Sequence, residues 1–279
     1  MNGFTLNGRM TVMTLKPAPI QIELLGYPFT TGVAEIDYLL LDPDIQPENP
    51  EWLVEEPLLM PHSWISFGDF GPEPISERTP FERNGMVTFG TLNNPYKYTR
   101  EMIATWAEIM CAVPKSRFLV VRPECASMAF CTNFAKVMAQ NGIGADRLNF
   151  VNNHTMPLPH LTYYDEMDIS LDTFPVTGGT TTCDSLWMGV SVVSLYGPSL
   201  HQRVSASILK KAGLSELCVT TREDYIRIAV EFAEDRETCE FLSVNLRPKL
   251  QSSRLGDTEG WTRDFEALME EVVRKHDMV

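Results

Sequence analysis

Long hydrophobic runs are absent from this 279-residue chain. Stretches such as Leu39–Leu41 and Phe118–Val121 fall far short of the roughly 20 apolar residues a membrane helix needs. That excludes a helical membrane protein. Positive charge is also scarce: 23 Lys+Arg stand against 37 Asp+Glu, a net charge of −14. A surface this acidic repels phosphate backbones, so broad nucleic-acid binding is disfavoured. One small anion held by local donors remains compatible with it. The N-terminus lacks the basic start and apolar core of a secretory signal. Six cysteines, at 111, 125, 131, 183, 218 and 239, form no C-x-x-C pair, and no histidines stand at zinc-finger spacing. They read as mostly reduced, buried thiols without a metal role, which points to the cytoplasm. Neither G-x-x-x-x-G-K-[ST] nor G-x-G-x-x-G occurs, so the P-loop and dinucleotide fingerprints are missing. No internal repeat or low-complexity tract is present.

What the chain does contain is ordinary globular composition, 44% hydrophobic and 22% charged. Short aliphatic runs alternate with amphipathic stretches, the βαβ signature of a parallel sheet. Strands are expected at Ile20–Leu25, Tyr38–Leu41, Leu58–Trp64, Val87–Thr91, Phe118–Arg122, Leu148–Val151, Ile169–Asp172 and Val190–Leu195. The clearest helix covers Thr99–Val113, with Ile103, Trp106, Ile109, Met110 and Val113 at three- and four-residue spacings before Pro114. Further helices are expected over Ser127–Asn141, Thr181–Met188, Val204–Ala212, Arg222–Phe232, Glu237–Leu250 and Thr262–Lys275. Residues 71–86 hold three prolines and little to bury, and read as a linker or surface loop. The expected organisation is a partial α/β piece at 1–70, this linker, and an α/β lobe with closing helices at 87–279.

Three segments carry candidate chemistry. In Asp168–Gly189 a strand ends, Gly178 and Gly179 follow, and Thr180, Thr181 and Thr182 open a helix. Glycines admit close backbone approach, and helix N–H groups attract an anion, so the segment reads as a phosphate cradle at a strand's carboxyl end. Thr181 and Asp184 also fit a capping box, which needs no ligand. Asn93-Asn94-Pro95-Tyr96-Lys97 likewise follows a strand and precedes a helix. There Lys97 is a point charge suited to a diphosphate, although a solvated loop lysine is the plainer reading. Gly26 and Gly32 frame a turn after the first strand, and His160 precedes the strand leading to the threonines.

Five segments in order resemble the catalytic region of the O-GlcNAc transferase family, glycosyltransferase family 41. They are Lys16-Pro17-Ala18-Pro19-Ile20-Gln21, Leu25-Gly26-Tyr27-Pro28, Met60-Pro61-His62, Asn93-Asn94-Pro95-Tyr96-Lys97 and Gly178–Gly189. The resemblance spans nearly the whole chain, including Arg203 with Ser205-Ala206-Ser207. It implies a GT-B fold, with a complete C-terminal Rossmann-like lobe and the end of an N-terminal one. It implies an inverting, metal-independent transfer of a sugar from UDP-GlcNAc to Ser/Thr of an acceptor protein, with no cofactor beyond the donor.

Carried over residue by residue, the resemblance places Thr180 and Thr181 on the donor diphosphate and Asp184 on the ribose. Lys97 neutralises the leaving group, and His160 lies near the base. Gly26 and Pro28 border the sugar pocket, with Phe29 where a small residue is common, and Asn94 replaces the family's glutamine. Met1–Thr5 resembles a motif close to the end of the N-terminal lobe. The resemblance therefore implies that the upstream lobe, with its active-site histidines, and any repeat-containing segment lie outside this chain. The competing readings are a nucleotide-sugar-binding partner without catalysis, and a transferase using UDP-glucose or GDP-fucose.

Overall fold

The computed structural model describes residues 8–24, 26, 28–68, 71, 73–155 and 159–277. The Met1–Thr5 motif, Leu25 and Tyr27 lie outside them.

Two parallel sheets organise the chain. The first has the order β1 (Ile22–Glu23), β2 (Tyr38–Leu41), β3 (Glu56–Leu59). Before it stands a single helical turn, α1 (Met10–Met13). The second contains β4 (Val87–Thr91), β5 (Ser116–Val121), β6 (Leu148–Val151), β7 (Ile169–Leu171), β8 (Ser191–Leu195) and β9 (Cys218–Val219). Its order is β6-β5-β4-β7-β8-β9, and every pairing is parallel. This is the doubly wound order, in which the chain reverses direction between the first and fourth strands of the set. Here the reversal falls between β4 and β7, paired through Phe89 with Ile169 and Gly90 with Ser170.

Buried sheets covered on both faces need near-continuous apolar strands rather than alternation. β4, β7 and nearly all of β8 are buried at every position. The covering helices are α3 (Arg100–Ala112), α4 (Met128–Gln140), α5 (Thr180–Trp187), α6 (Val204–Lys211), α7 (Arg222–Glu234) and α8 (Arg236–Gln251). Trp106 on α3 anchors this core. Its ring stacks on Phe118 with centroids 4.9 Å apart, and its Nε1 donates to the Tyr225 hydroxyl at 3.1 Å. That hydroxyl donates in turn to the carbonyl of Asp172 at 2.9 Å, tying the core to the carboxyl end of β7.

The last helix, α9 (Thr258–Asp277), returns to the first sheet and packs Val272, Leu268 and Met269 against Tyr38 and Leu58. Asp42, fully buried just after β2, accepts from the Trp64 amide at 3.0 Å and from Ser207 Oγ on α6 at 2.8 Å, which joins the two sheets.

Some expectations shift. Residues 71–86, read as a linker or surface loop, contain α2 (Pro80–Asn84). Thr79 and Glu82 form a reciprocal capping box there, and the half-buried Asp168 carboxylate accepts from Phe81 N at 3.0 Å and Thr88 N at 2.7 Å. That carboxylate docks the turn onto β4. The third strand runs Glu56–Leu59 rather than Leu58–Trp64, because the Asp42 carboxylate captures the Trp64 amide. β9 is two residues long, too short to leave a periodic signal. All six cysteines are free thiols. Cys183 and Cys239 are buried, while Cys111 is exposed.

Candidate functional site

The loops after β4 and β7 leave adjacent strands at the reversal point, and the site grows from there. The β4 loop turns through a short 3-10 segment at Pro95–Lys97, and the β7 loop runs to the start of α5. Lys97 points inward. Its Nζ donates to Asn93 Oδ1 at 3.0 Å and to the Thr177 carbonyl at 2.8 Å. Burial lowers its pKa, partly offset by the charge of Asp172, with Arg122 adding to the depression.

α5 begins without a side-chain cap. Gly179 is its N-cap residue, and the capping-box alternative for Thr181 and Asp184 is overturned. Thr181 Oγ1 instead donates to Asn93 Oδ1 at 3.1 Å. Asp184 Oδ2 lies 3.4 Å from Nε2 of His160. Burial raises the Asp184 pKa, with the charge and hydrogen bond of His160 opposing. Thr180 is exposed. The first N–H groups of a helix have no intrahelical acceptor, so this end presents donors to an anion. Gly178 is required for a steric reason. A Cβ there would meet Thr182 Oγ1 at 2.5 Å, Thr181 Oγ1 at 2.9 Å and Asp172 Oδ1 at 3.1 Å.

A cavity of about 330 Å³ opens between the two sheets, lined by Gly26, Pro28, Lys97, Thr177, Gly179 and Thr180. Its apolar wall comes from Leu41, Ile45, Trp64 and Val204. Four of the expected site residues, Gly26, Pro28, Lys97 and Thr180, thus share one cavity. Thr181 and Asp184 follow on α5 and His160 meets Asp184, and none of the three lines the cavity. Asn94 does not line it either: its Oδ1 accepts from Tyr96 N at 3.1 Å and caps the 3-10 turn. Its neighbour Asn93, buried and bonded to both Lys97 and Thr181, takes the inward place. Asp172 was likewise missed by sequence reasoning. A carboxylate ending the apolar run Ile169-Ser170-Leu171 was the available signal, since an unpaired charge there is costly to bury. Phe29 stacks on His201 beside the cavity, with ring centroids 4.3 Å apart. Among the described residues, no histidine lines the cavity.

Residues 1–70 and 75–265 match the sequence profile of glycosyl transferase family 41. The chain belongs to that family. It is similar to the probable UDP-N-acetylglucosamine–peptide N-acetylglucosaminyltransferase SPINDLY of Oryza sativa subsp. japonica, at 35% identity over 280 aligned residues. That alignment covers 99% of this chain and 30% of the relative. The SEC protein of Arabidopsis thaliana, with the same probable activity in its name, is 28% identical over 95% of this chain and 28% of its own length. Among solved structures, an O-GlcNAc transferase of Thermobaculum terrenum superposes with TM-score 0.79 at 28% identity, covering 93% of this chain and 48% of that one. A sucrose-phosphate synthase from Thermosynechococcus elongatus, 14% identical with TM-score 0.59 over 86% of this chain and 59% of its own, shares the fold alone. The architecture is GT-B: a Rossmann-like lobe set against a second parallel sheet. The chain spans about a third of the length of the curated relatives it matches.

Proposed function

We propose that this chain is the donor-binding part of a transferase that moves GlcNAc from UDP-GlcNAc to Ser/Thr hydroxyls of an acceptor protein. One observation carries the reading: a half-buried ammonium and an uncapped helix start meet at the sheet's reversal point, on a cavity sized for a sugar. Anions bind at helix N-termini, and α/β sheets take ligands at such reversals. The relatives' names give UDP-N-acetylglucosamine as donor and a peptide as acceptor.

In the transfer, the acceptor oxygen bonds to the anomeric carbon from the face opposite the diphosphate, which inverts that centre. The bond from that carbon to the diphosphate oxygen breaks, and its electron pair leaves with the UDP. Charge develops on the leaving group, and there Lys97 and the Thr180–Thr181 helix start stabilise it without a metal. The hydroxyl proton goes to a base or to solvent. Asp184 accepts from ribose hydroxyls, His160 flanks the base, and Gly26 with Pro28 borders the sugar. A cytoplasmic setting fits the free thiols, and among the described residues no helix is long and apolar enough to cross a membrane.

The second reading, donor binding without turnover by this chain, is favoured by the lack of a histidine on the cavity among the described residues. A base then has to come from elsewhere, such as a separate lobe or repeat-containing chain. Calorimetric titration with UDP, UDP-GlcNAc, UDP-glucose and GDP-fucose, paired with a peptide-transfer assay, tests both. Binding with slow or no transfer by residues 1–279 is the expected result, and indifference to every nucleotide sugar would end the proposal. Asp184→Asn is expected to weaken UDP binding by about 1.5 kcal/mol, roughly tenfold, by removing the charged acceptor. Its melting temperature should stay near the parent's, because Asp184 caps nothing.

A further inference from the structure

Below the cavity lies a group of buried polar side chains with no role in the reading above. Asn93 is 3% exposed and Asp172 is 0% exposed. Asn93 Oδ1 accepts from both Lys97 Nζ and Thr181 Oγ1, at 3.0 and 3.1 Å. Its Nδ2 donates to Asp172 Oδ1 at 3.2 Å. The amide can sit only this way round, since a flipped NH₂ would face an ammonium that has no acceptor to offer. Asp172 Oδ1 also accepts from Thr173 N at 2.9 Å and Gly178 N at 2.8 Å, and Oδ2 accepts from Ser194 Oγ at 2.7 Å. These partners come from the loop after β7, from β8 and from the β4 loop, so one carboxylate gathers three segments.

We infer that Asn93 and Asp172 are positioning residues, which hold the Lys97 ammonium and the Thr181 hydroxyl at the diphosphate position before any ligand arrives. This rests on the donor-binding reading and deepens it. Lys97 keeps one of its three N–H donors free and needs no rearrangement when charge appears, while the single Thr181 O–H turns from Asn93 to reach a phosphate. The geometry fits that purpose. Asn93 presents one oxygen to the two candidate phosphate contacts, and Asp172 fixes the amide from behind. The same carboxylate binds the Gly178 amide and so sets the approach of α5.

The charge balance at Lys97 supports this. Asp172 at the end of β7 favours the ammonium, whereas burial and Arg122 at the end of β5 oppose it. Asp172 itself is pushed up by burial, while the Ser205 and Ser194 hydroxyls, Lys97 and the Gly178 amide hold it down. Its hydrogen-bond partners Asn93 Nδ2, Thr173 N, Gly178 N and Ser194 Oγ all donate to it, which is the pattern of a carboxylate. Neutralising Asp172 leaves only groups that lower the Lys97 pKa. Adding a second carboxylate at position 93 raises it.

The test uses the full 279-residue chain and two variants, Asp172→Asn and Asn93→Asp. NMR of ¹³C-labelled lysine side chains, with Lys97 assigned by its absence in Lys97→Met, gives the ammonium's titration midpoint without nucleotide. The expected midpoint moves down in Asp172→Asn and up in Asn93→Asp. UDP affinity at neutral pH falls about tenfold in each. In Asp172→Asn the alkaline loss of UDP binding also shifts to lower pH. Should Asp172→Asn fail to fold, Asn93→Asp still decides, since it keeps the acceptor facing Lys97 and Thr181. A midpoint unchanged in folded Asn93→Asp overturns the inference. Midpoints that move as stated in a parent chain that ignores UDP would support the positioning role and sink only the donor reading.

Discussion

Lys97→Ala is expected to weaken UDP binding by about 1.5–3 kcal/mol, on the order of 10- to 150-fold, the range for a hydrogen bond to a charged group. The 3-10 turn that Asn94 caps fixes the Lys97 backbone, and Asn93 Oδ1 with the Thr177 carbonyl fixes its ammonium at the cavity. Lys97→Arg should not restore binding. The guanidinium is larger and forked, and the space between Asn93 Oδ1 and the Thr177 carbonyl suits a compact point charge. Stability should respond differently from affinity. The folded-state pKa of Lys97 lies below its ordinary 10.5. Between those two values the unfolded chain binds more protons, so the parent gains stability as pH rises through that window. Lys97→Ala should lack this rise. Calorimetry with UDP and melts on the alkaline side measure the two effects separately. An unchanged UDP affinity in a folded Lys97→Ala would remove Lys97 from the site.

Gly189→Ala is expected to destabilise the chain by about 2–5 kcal/mol, and to abolish UDP binding with it. Gly189 follows the C-terminus of α5 with φ +78°, a left-handed conformation that costs a side-chain-bearing residue about 1–2 kcal/mol. Space is the larger obstacle. A Cβ would overlap the Ser243 carbonyl oxygen and lie 3.1 Å from its carbon, and these are backbone atoms of α8. Neither partner can rotate away, so the two helices must part, at the typical cost of overpacking, about 1–3 kcal/mol. Because α5 carries Thr180 and Thr181 at its other end, displacing its C-terminus moves the proposed phosphate contacts. Urea denaturation should show a lower midpoint at unchanged slope. A midpoint matching the parent's would show that the α5–α8 contact yields freely.

The alternation of buried runs and amphipathic stretches was readable along the chain because each signal is local. Val87–Thr91 and Tyr38–Leu41 match the observed strands residue for residue, and the helix around Trp106 differs only at its ends. The order strand, glycines, threonines, helix likewise placed Thr180 and Lys97 on one rim, since parallel strands send their carboxyl ends the same way. Local patterns also misled. Thr181 and Asp184 have capping-box spacing, yet Gly179 starts the helix, and their side chains turn to Asn93 and His160. Asn94 bears the expected amide, but Pro95 follows it and the side chain is spent on the turn, leaving Asn93 to face inward.

What the sequence by itself determined here was the longer elements, the family and the identity of the charged and hydroxyl groups at the strand ends. Which of those groups meet was decided by the tertiary structure. β4 lies beside β7 although they are separated by two other strands in the chain, and that adjacency brings Asn93 within 3.2 Å of Asp172. No periodicity encodes such a pairing, because it follows from how all six strands pack under their helices. The orientation of a buried amide is then set by the donors and acceptors around it, which exist as a group only once the sheet has formed.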